Sequence, residues 1–178
     1  TGSYVRHIAA QDDTVTSEKS AAGRRTFSLE EVNTIRQILG RTKASYLPGR
    51  REGDHMQVIA VTNFKGGSGK TTTSTHVAQY LALRGYRVLA VDLDPQASMS
   101  AMLGFQPEFD VDDNETLYGA IRYDDQRRPV EDVIHKTYFP GLDLIPGNLE
   151  LHEFEHDTPR ALAARDTADA DMFFMRVG

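Results

Sequence analysis

Short, fully apolar runs alternate with a helical stretch in the second part of the chain. Residues 58–61 and 88–91 are each four consecutive apolar residues, a pattern that predicts strands buried on both faces. Between them, a glycine cluster leads into helical spacing from residue 71 to about residue 84, which Gly85 ends. The order strand, loop, helix, strand predicts a right-handed βαβ unit with a parallel strand pair.

Farther along the chain, the pattern predicts more helix and a third strand. Residues 116–122 and 130–136 have helical spacing, and residues 142–145 (Leu-Asp-Leu-Ile) look like a third strand that a Pro-Gly pair ends. A Thr-Pro pair predicts a helix over 158–177, because proline suits the first position of a helix. Strands alternating with helices indicate an α/β fold with a mostly parallel, doubly wound sheet.

The first part of the chain has a different pattern. Residues 3–11 suit a short helix, and residues 12–26 are polar and contain a Gly-Arg-Arg turn typical of a hairpin. Ser28 with Glu31 three positions later is a capping box. Apolar residues at helical spacing follow it, so we predict a helix over 28–39.

A stretch rich in proline, glycine and arginine separates these two patterns. We therefore divide the chain into residues 1–44, a linker over 45–55 and an α/β domain over 56–178. Residues 1–55 have nine lysines and arginines against seven acids, a net charge of +2, whereas residues 56–178 have eleven against nineteen, a net charge of −8. The basic surplus favours a nucleic-acid contact in the first part of the chain.

The composition excludes several classes of chemistry. None of the 178 residues is cysteine, which excludes disulfide scaffolds, cysteine-bound zinc, iron–sulfur clusters and thiol nucleophiles. No apolar run approaches the ~18 residues that span a membrane, and no signal-peptide pattern is present. We therefore expect a cytoplasmic protein with no membrane partner.

The sequence Lys65-Gly-Gly-Ser-Gly-Lys-Thr lies between a predicted strand and a predicted helix. Glycines let the backbone curl so that its N–H groups face an anion, and the helix start adds the positive end of its dipole. In such a loop, Lys70 can reach the β- and γ-phosphates and the Thr71 hydroxyl can bind Mg²⁺. The common P-loop pattern has glycine where this chain has Phe64, and Lys65 is an additional lysine.

Two carboxylates follow the second predicted strand. Asp92 and Asp94 lie at its carboxyl end, the edge at which parallel α/β sheets bind ligands. A carboxylate there can hold Mg²⁺ through a water molecule or orient an attacking water. We take Asp94 as the candidate functional residue of the pair.

Both motifs resemble those of the ParA/MinD family of ATPases. Residues 65–71 look like the deviant Walker A motif, and residues 91–96 (Val-Asp-Leu-Asp-Pro-Gln) are similar to the family's second motif. Residues 145–151 (Ile-Pro-Gly-Asn-Leu-Glu-Leu) resemble a segment of ParA proteins. The nearest resemblance is to the RepA group of repABC-type plasmid replicons. The match extends from residue 56 to about residue 160 and implies a P-loop NTPase fold.

The resemblance implies a switch that uses ATP and Mg²⁺. In the family, ATP joins two subunits into a dimer, and the lysine matching Lys65 reaches the partner's phosphates, much as an arginine finger does. By the same matching, Lys70 holds phosphate, Thr71 holds Mg²⁺, and Asp94 positions the water and contributes to the Mg²⁺ site. The expected nucleotide-binding residues are Lys65, Gly66, Gly67, Ser68, Gly69, Lys70, Thr71 and Thr72.

The resemblance also implies the partners. The ATP-bound dimer of the family binds DNA without sequence preference, and a ParB-type centromere-binding protein stimulates its slow hydrolysis. We therefore expect a nucleoid-associated protein that partitions plasmid or chromosomal replicons.

In the same plasmid ATPases, a winged helix-turn-helix of MerR-like type precedes the ATPase. Residues 3–9 look like the end of its recognition helix, residues 14–26 like the wing, and residues 27–39 like the helix that packs beneath. The candidate DNA-contacting residues are Ser3, Tyr4, Arg6, His7, Arg24 and Arg25.

Some family elements have no match in this chain. The Walker B strand would follow the helix predicted over 158–177, and the first helix and turn of the DNA-binding module are also missing. We therefore expect a piece of a longer protein, truncated at both ends. Two other functions fit the motifs: a DNA-binding autorepressor of its own operon that uses nucleotide as a switch, and another deviant-Walker ATPase of MinD-like type.

Overall fold

The computed structural model describes residues 2–11, 13, 15–49, 52–112 and 114–163, and its elements form two parts. The first part contains α1 (Gly2–Gln11), β1 (Glu18–Lys19), β2 (Arg25–Thr26), α2 (Leu29–Gly40) and a 3-10 helix (Ala44–Tyr46). The second contains α3 (Lys70–Leu83), β3 (Val88–Val91), α4 (Ser98–Met102), α5 (Pro107–Asp110), α6 (Leu117–Ile121), a 3-10 helix (Val130–Val133), β4 (His135–Lys136), β5 (Leu142–Ile145) and α7 (Leu151–Ala163). None of the helices in these described ranges is long and apolar enough to cross a membrane.

The first part is a helix, an antiparallel hairpin and a second helix around a small core of their own. Ile8 of α1, Val15 before the hairpin, and Ile35 and Leu39 of α2 are buried together. This order of elements agrees with the helix, turn and helix predicted from the sequence. The winged helix-turn-helix interpretation of this order remains a prediction.

The predicted capping box is confirmed and also fastens the hairpin to α2. Ser28 Oγ accepts the Glu31 N–H at 3.2 Å, and Glu31 Oε2 accepts the Ser28 N–H at 2.7 Å. The other Glu31 oxygen accepts the Ser17 N–H at 2.7 Å and the Thr16 hydroxyl at 3.1 Å. These donors favour the ionised carboxylate, so the backbone hydrogen bonds from Ser17 and Ser28 lower the pKa of Glu31.

The second part is built on a three-stranded sheet in the order β3-β5-β4. Strands β3 and β5 are parallel, with Val88 opposite Leu142 and Val91 opposite Ile145, and β4 pairs antiparallel with β5. The parallel pair predicted between residues 58–61 and 88–91 is therefore wrong in its partner: the parallel pair in the structure joins the second and third predicted strands.

Helix α3 covers one face of this sheet. Ala78 and Ala82 of α3 pack against Ala90, Leu142 and Leu144 in one buried cluster. Because side chains alternate along a strand, the neighbours Leu89 and Val91 lie on the opposite face, where both are exposed. The prediction that residues 88–91 are buried on both faces is therefore wrong for β3, whose burial alternates. Ile145, the last residue of β5, lies on the sheet face away from α3 and packs into a second cluster with α6 and α7.

The strand predicted over residues 58–61 is absent from the structure. Residues 54–63 have no strand assignment, and the side chains of Val58 and Ile59 are 83% and 62% exposed. A strand needs a partner edge for its backbone N–H and C=O groups, and in the described part of the chain residues 58–61 pair with none of the three strands β3, β5 and β4. An apolar run indicates a preference for burial but does not supply the neighbouring strand.

Two helix predictions also need correction. Residues 130–136 form a 3-10 turn followed by β4 rather than one helix, because residues 135–136 pair with β5. The helix predicted to start at Thr158 instead starts at Leu151 and continues through Pro159. Leu151 and Phe154 anchor its first turns in the cluster with α6. The predicted remainder over 164–177 lies outside the described residues.

Arg36 connects the two parts of the chain. Its guanidinium donates to the Leu83 carbonyl oxygen at 2.8 Å and to Asn33 Oδ1 at 2.8 Å. Leu83 is the last residue of α3, where helix carbonyls have no partner inside the helix. Gly85 leaves room for this contact, because a Cβ there would lie 3.2 Å from the Arg36 side chain.

Candidate phosphate-binding site

The glycine loop before α3 has the backbone geometry that its sequence predicts. Gly67 and Gly69 have φ values of 70° and 82°, in the left-handed region that glycine adopts without strain. Nothing lies within 4 Å of where a Cβ would stand on Gly66 or Gly67. The loop is therefore open on that side, with room for a ligand to approach the backbone.

The first turn of α3 faces this loop without a side-chain cap. Gly69 is the N-cap residue, so no side chain accepts the N–H groups of the first turn. The first N–H group with a helical partner is that of Thr73, which donates to the Gly69 carbonyl at 2.8 Å. The preceding N–H groups and the helix dipole together suit an anion, and a phosphate group fits this position.

The polar side chains predicted to act here surround the start of α3. Lys70 and Thr71 form its first turn and are half-buried, and Thr72 is exposed. Lys65 is exposed in the loop, and its backbone N–H donates to Asn63 Oδ1 at 2.9 Å. Two lysines and a hydroxyl beside an uncapped helix start are the donor set that a nucleotide phosphate with Mg²⁺ requires.

The structure separates the two carboxylates that follow β3. Asp92 is 3% exposed, and its Oδ2 accepts both the Ser100 N–H and the Ser100 hydroxyl at 2.8 Å. Its Oδ1 accepts the Asp94 N–H at 3.3 Å. Both oxygens of Asp92 thus accept hydrogen bonds, two of them from the buried Ser100, and Asp92 stabilises the end of the strand.

Asp94 is exposed, in contrast to Asp92. Its Oδ1 accepts the Gln96 N–H at 3.0 Å, which fixes the start of the loop after β3. The carboxylate is an oxygen donor of the type that Mg²⁺ prefers. Asp94 is thus the carboxylate of this pair that can meet a ligand.

The connection between α3 and β3 places the loop and Asp94 at the same end of the domain. Helix α3 ends at Leu83 and β3 begins at Val88, so a short turn joins them and they run in opposite directions. The start of α3 therefore lies at the carboxyl end of β3. This is the edge at which ligands bind in parallel α/β sheets.

The candidate DNA-contacting residues fall on two elements of the first part. Tyr4, Arg6 and His7 are exposed on α1, and the side chain of Ser3 lies outside the described residues. Arg24 is exposed at the hairpin turn, whereas Arg25 is half-buried and donates to Ser17 Oγ at 3.4 Å. Their role in DNA binding remains a prediction.

The sequence did not point to two residues that support the carboxyl end of β3, where Asp92 and Asp94 lie. Ser100 is fully buried, Gly147 is buried, and the two are linked, because the Gly147 N–H donates to Ser100 Oγ at 3.2 Å. A Cβ on Gly147 would lie 2.7 Å from the Asp92 carbonyl oxygen and 2.9 Å from that of Asp94. The Pro-Gly pair after the third strand was the available signal for Gly147, but nothing in the sequence marks Ser100.

Comparison with known proteins agrees with this geometry. A family model described as an AAA domain (AAA_31) matches residues 56–168. A protein of Rhizobium rhizogenes named "Putative replication protein A" is 58% identical over 178 residues, which cover 98% of this chain and 44% of that protein. The chromosome partitioning protein ParA of Caulobacter vibrioides is 37% identical over 119 residues, which cover 65% of this chain and 42% of that protein.

A solved structure has a similar fold over part of the chain. Protein DIP2308 from Corynebacterium diphtheriae superposes with a TM-score of 0.51 and 29% sequence identity, over 61% of this chain and 42% of that one. The chain spans less than half the length of the curated relatives it matches. The family model covers more than half of this chain and includes the phosphate loop. The chain therefore belongs to the AAA-domain family, as a ParA-like P-loop ATPase related to replication and partition proteins.

Proposed function

We propose that this chain is the nucleotide-binding part of an ATP-dependent partition protein for plasmid or chromosomal replicons. The observation that carries the proposal is the uncapped start of α3 beneath an open glycine loop, with Lys65, Lys70 and Thr71 around it. The 37% identity to a chromosome partitioning ParA protein supports the biological role. The protein is expected in the cytoplasm, associated with the nucleoid.

Each site residue has a role in this proposal. Lys70 and the loop N–H groups hold the phosphates of ATP, while Thr71 and Asp94 hold Mg²⁺, which supplies positive charge at the phosphate oxygens when bound. Asp94 also orients the attacking water. Lys65, exposed at the beginning of the loop, places its charge on the phosphates of a second subunit.

The partners follow from the same proposal. ATP binding joins two copies of the protein into a dimer that binds DNA, and a ParB-type partner stimulates hydrolysis and thereby releases the DNA. Slow intrinsic hydrolysis suits such a switch, because the bound state must persist until the partner resets it.

The full-length protein with Lys70→Ala tests the ATPase function. We expect its Mg²⁺-dependent ATP hydrolysis, measured as phosphate release with DNA and the ParB-type partner present, to fall to background. Lys43→Ala removes an exposed lysine far along the chain from the loop and is the matched control, expected to keep parental activity. Hydrolysis by Lys70→Ala at the parental rate would refute the proposal.

Lys65→Ala separates phosphate binding from the contribution of a second subunit. Nucleotide binding, measured by titration with a fluorescent ATP analogue, should remain, whereas hydrolysis and ATP-dependent dimerisation, measured by light scattering, should be lost. Retention of dimerisation and hydrolysis would exclude Lys65 from the role across the interface.

A second candidate function is autorepression through the first part of the chain. It is favoured by the separate core of α1, the hairpin and α2, and by the exposed Arg24 on that hairpin. A gel shift on the protein's own promoter with the Arg24→Ala, Arg25→Ala double variant tests it. Loss of specific binding with normal hydrolysis would support a repressor role, and unchanged specific binding would count against it.

A further inference from the structure

Ser100 forms the centre of a buried hydrogen-bond chain. It is 0% exposed on α4, its hydroxyl donates to Asp92 Oδ2 at 2.8 Å, and its oxygen accepts the Gly147 N–H at 3.2 Å. The Ser100 backbone N–H donates to the same Asp92 oxygen at 2.8 Å. The hydroxyl is therefore used as both donor and acceptor, and no water competes for it at zero exposure.

This chain of hydrogen bonds joins the carboxyl ends of two neighbouring strands. Asp92 directly follows β3, and Gly147 lies two residues after β5. The strands are also paired at this end, since the Asp92 N–H donates to the Ile145 carbonyl at 3.1 Å. Ser100 thus links two strand ends through side chains in addition to the backbone ladder.

The loop held by this link is the one that contains Asp94. The Asp94 N–H donates to Asp92 Oδ1, and the Asp94 carbonyl accepts the Ala97 N–H at 2.8 Å. Ala97 has a φ of 52°, a left-handed conformation that is costly for a residue with a Cβ and persists only where the surroundings impose it. Ser100, three residues farther on, and its bonds to Asp92 close the loop on its far side.

We propose that Ser100 is a positioning residue that fixes Asp94 at the phosphate site by joining Asp92 to Gly147. The proposal rests on the proposed function, because it assigns the purpose of the loop to the placing of Asp94. Ser100 does not itself touch nucleotide: it is buried, and both roles of its hydroxyl are filled. Its effect on the reaction passes through the exposed carboxylate six residues earlier.

The test is a double-mutant cycle in the full-length protein. Ser100→Ala removes the hydroxyl, and Asp94→Asn removes the carboxylate that it is proposed to place. We expect Ser100→Ala to lower kcat for ATP hydrolysis by about 10- to 100-fold, the range for a reacting group displaced by about 1 Å, and to leave KM for ATP within twofold. In the Asp94→Asn background, Ser100→Ala should lower kcat by less than about twofold, because coupled residues are not additive.

The control is Ser98→Ala, which removes an exposed hydroxyl from the first position of the same helix and should keep the parental kcat. If Ser100→Ala does not fold, as judged by circular dichroism, Asp92→Asn takes its place in the cycle. That variant keeps the side-chain volume and removes the charge that the Ser100 donors satisfy.

The possible outcomes separate this inference from the proposed function. An inactive parent protein would overturn the proposed function and the positioning role with it. An active parent in which Ser100→Ala leaves kcat unchanged, or lowers it equally with and without the Asp94 carboxylate, would overturn the positioning role alone. A large kcat effect that vanishes in the Asp94→Asn background would support it.

Discussion

We expect a single added methyl group at Gly147 to destabilise the carboxyl ends of β3 and β5, where Asp92 and Asp94 lie. A Cβ there would lie 2.7 Å from the Asp92 carbonyl oxygen and 2.9 Å from that of Asp94, whereas ordinary van der Waals contact begins at 3.4 Å. Both obstacles are backbone atoms at the end of β3, so neither can rotate away. Gly147→Ala must therefore move the ends of β3 and β5 apart.

The cost of that movement has two sources. Overpacking a tight interior costs about 1–3 kcal/mol, and loss of the Gly147 hydrogen bond to Ser100 leaves buried groups unpaired at a further cost of about 1–3 kcal/mol. The two terms together cost about 2–6 kcal/mol, and a loss of about 3 kcal/mol within that range lowers Tm by about 6–12 °C for a domain of about 150–250 residues. Thermal unfolding of the nucleotide-free full-length protein, followed by circular dichroism, measures it.

Gly66→Ala is the matched control for this prediction. The same methyl group is added, but nothing lies within 4 Å of it, so Tm should change by no more than about 2 °C. A Tm for Gly147→Ala that matches the control would refute the reasoning that the strand ends are fixed by this close contact.

Three further predictions concern the core of the second part, the contact between the two parts and the capping box of α2. Leu144→Ala, at a fully buried position, should destabilise the second part by about 2–5 kcal/mol in urea unfolding, while Tyr138→Ala at an exposed position should cost far less. Arg36→Ala should increase amide hydrogen exchange at the end of α3, because the Leu83 carbonyl loses its donor; unchanged exchange would contradict this. Because the pKa of Glu31 is lower in the folded state, ionised Glu31 stabilises the fold at pH values above its unfolded pKa of about 4.5. This stabilisation is lost as the pH falls through the lower pKa of the folded state. The acid-induced fall in Tm should therefore be smaller for Glu31→Gln than for the parent, and equal slopes of Tm against pH would contradict it.

The parts of the fold that the sequence predicts well depend on local signals. The capping box at Ser28 marks the start of α2, and the glycine cluster marks the start of α3 to within one residue. The phosphate loop is predictable for the same reason, because its glycines and lysines are contiguous. The AAA-domain family model that matches residues 56–168 includes this loop.

The predictions that fail depend on distant partners. The apolar run at 58–61 has no strand beside it in the described residues, and nothing within the run could show this. Pro159 is a strong local signal for a helix start, yet the packing of Leu151 and Phe154 sets the true start of α7 seven residues before the predicted start at Thr158. Ser100 acts through Asp92 and Gly147, which lie 8 and 47 residues away, so its role becomes visible only once β3 and β5 are paired.

Helix α3 has the phosphate loop at one end and the Arg36 contact at the other. Its 14 residues rise about 1.5 Å each, so these two ends are about 21 Å apart. A helix is stiff along its axis, and an axial shift of about 1 Å at Lys70 would reach the Leu83 carbonyl almost undiminished. That shift would stretch its 2.8 Å hydrogen bond to Arg36 past the limit of a good hydrogen bond. A movement of α3 along its axis would therefore change the hydrogen bond between Leu83 and Arg36, and Arg36 belongs to α2 in the first part of the chain.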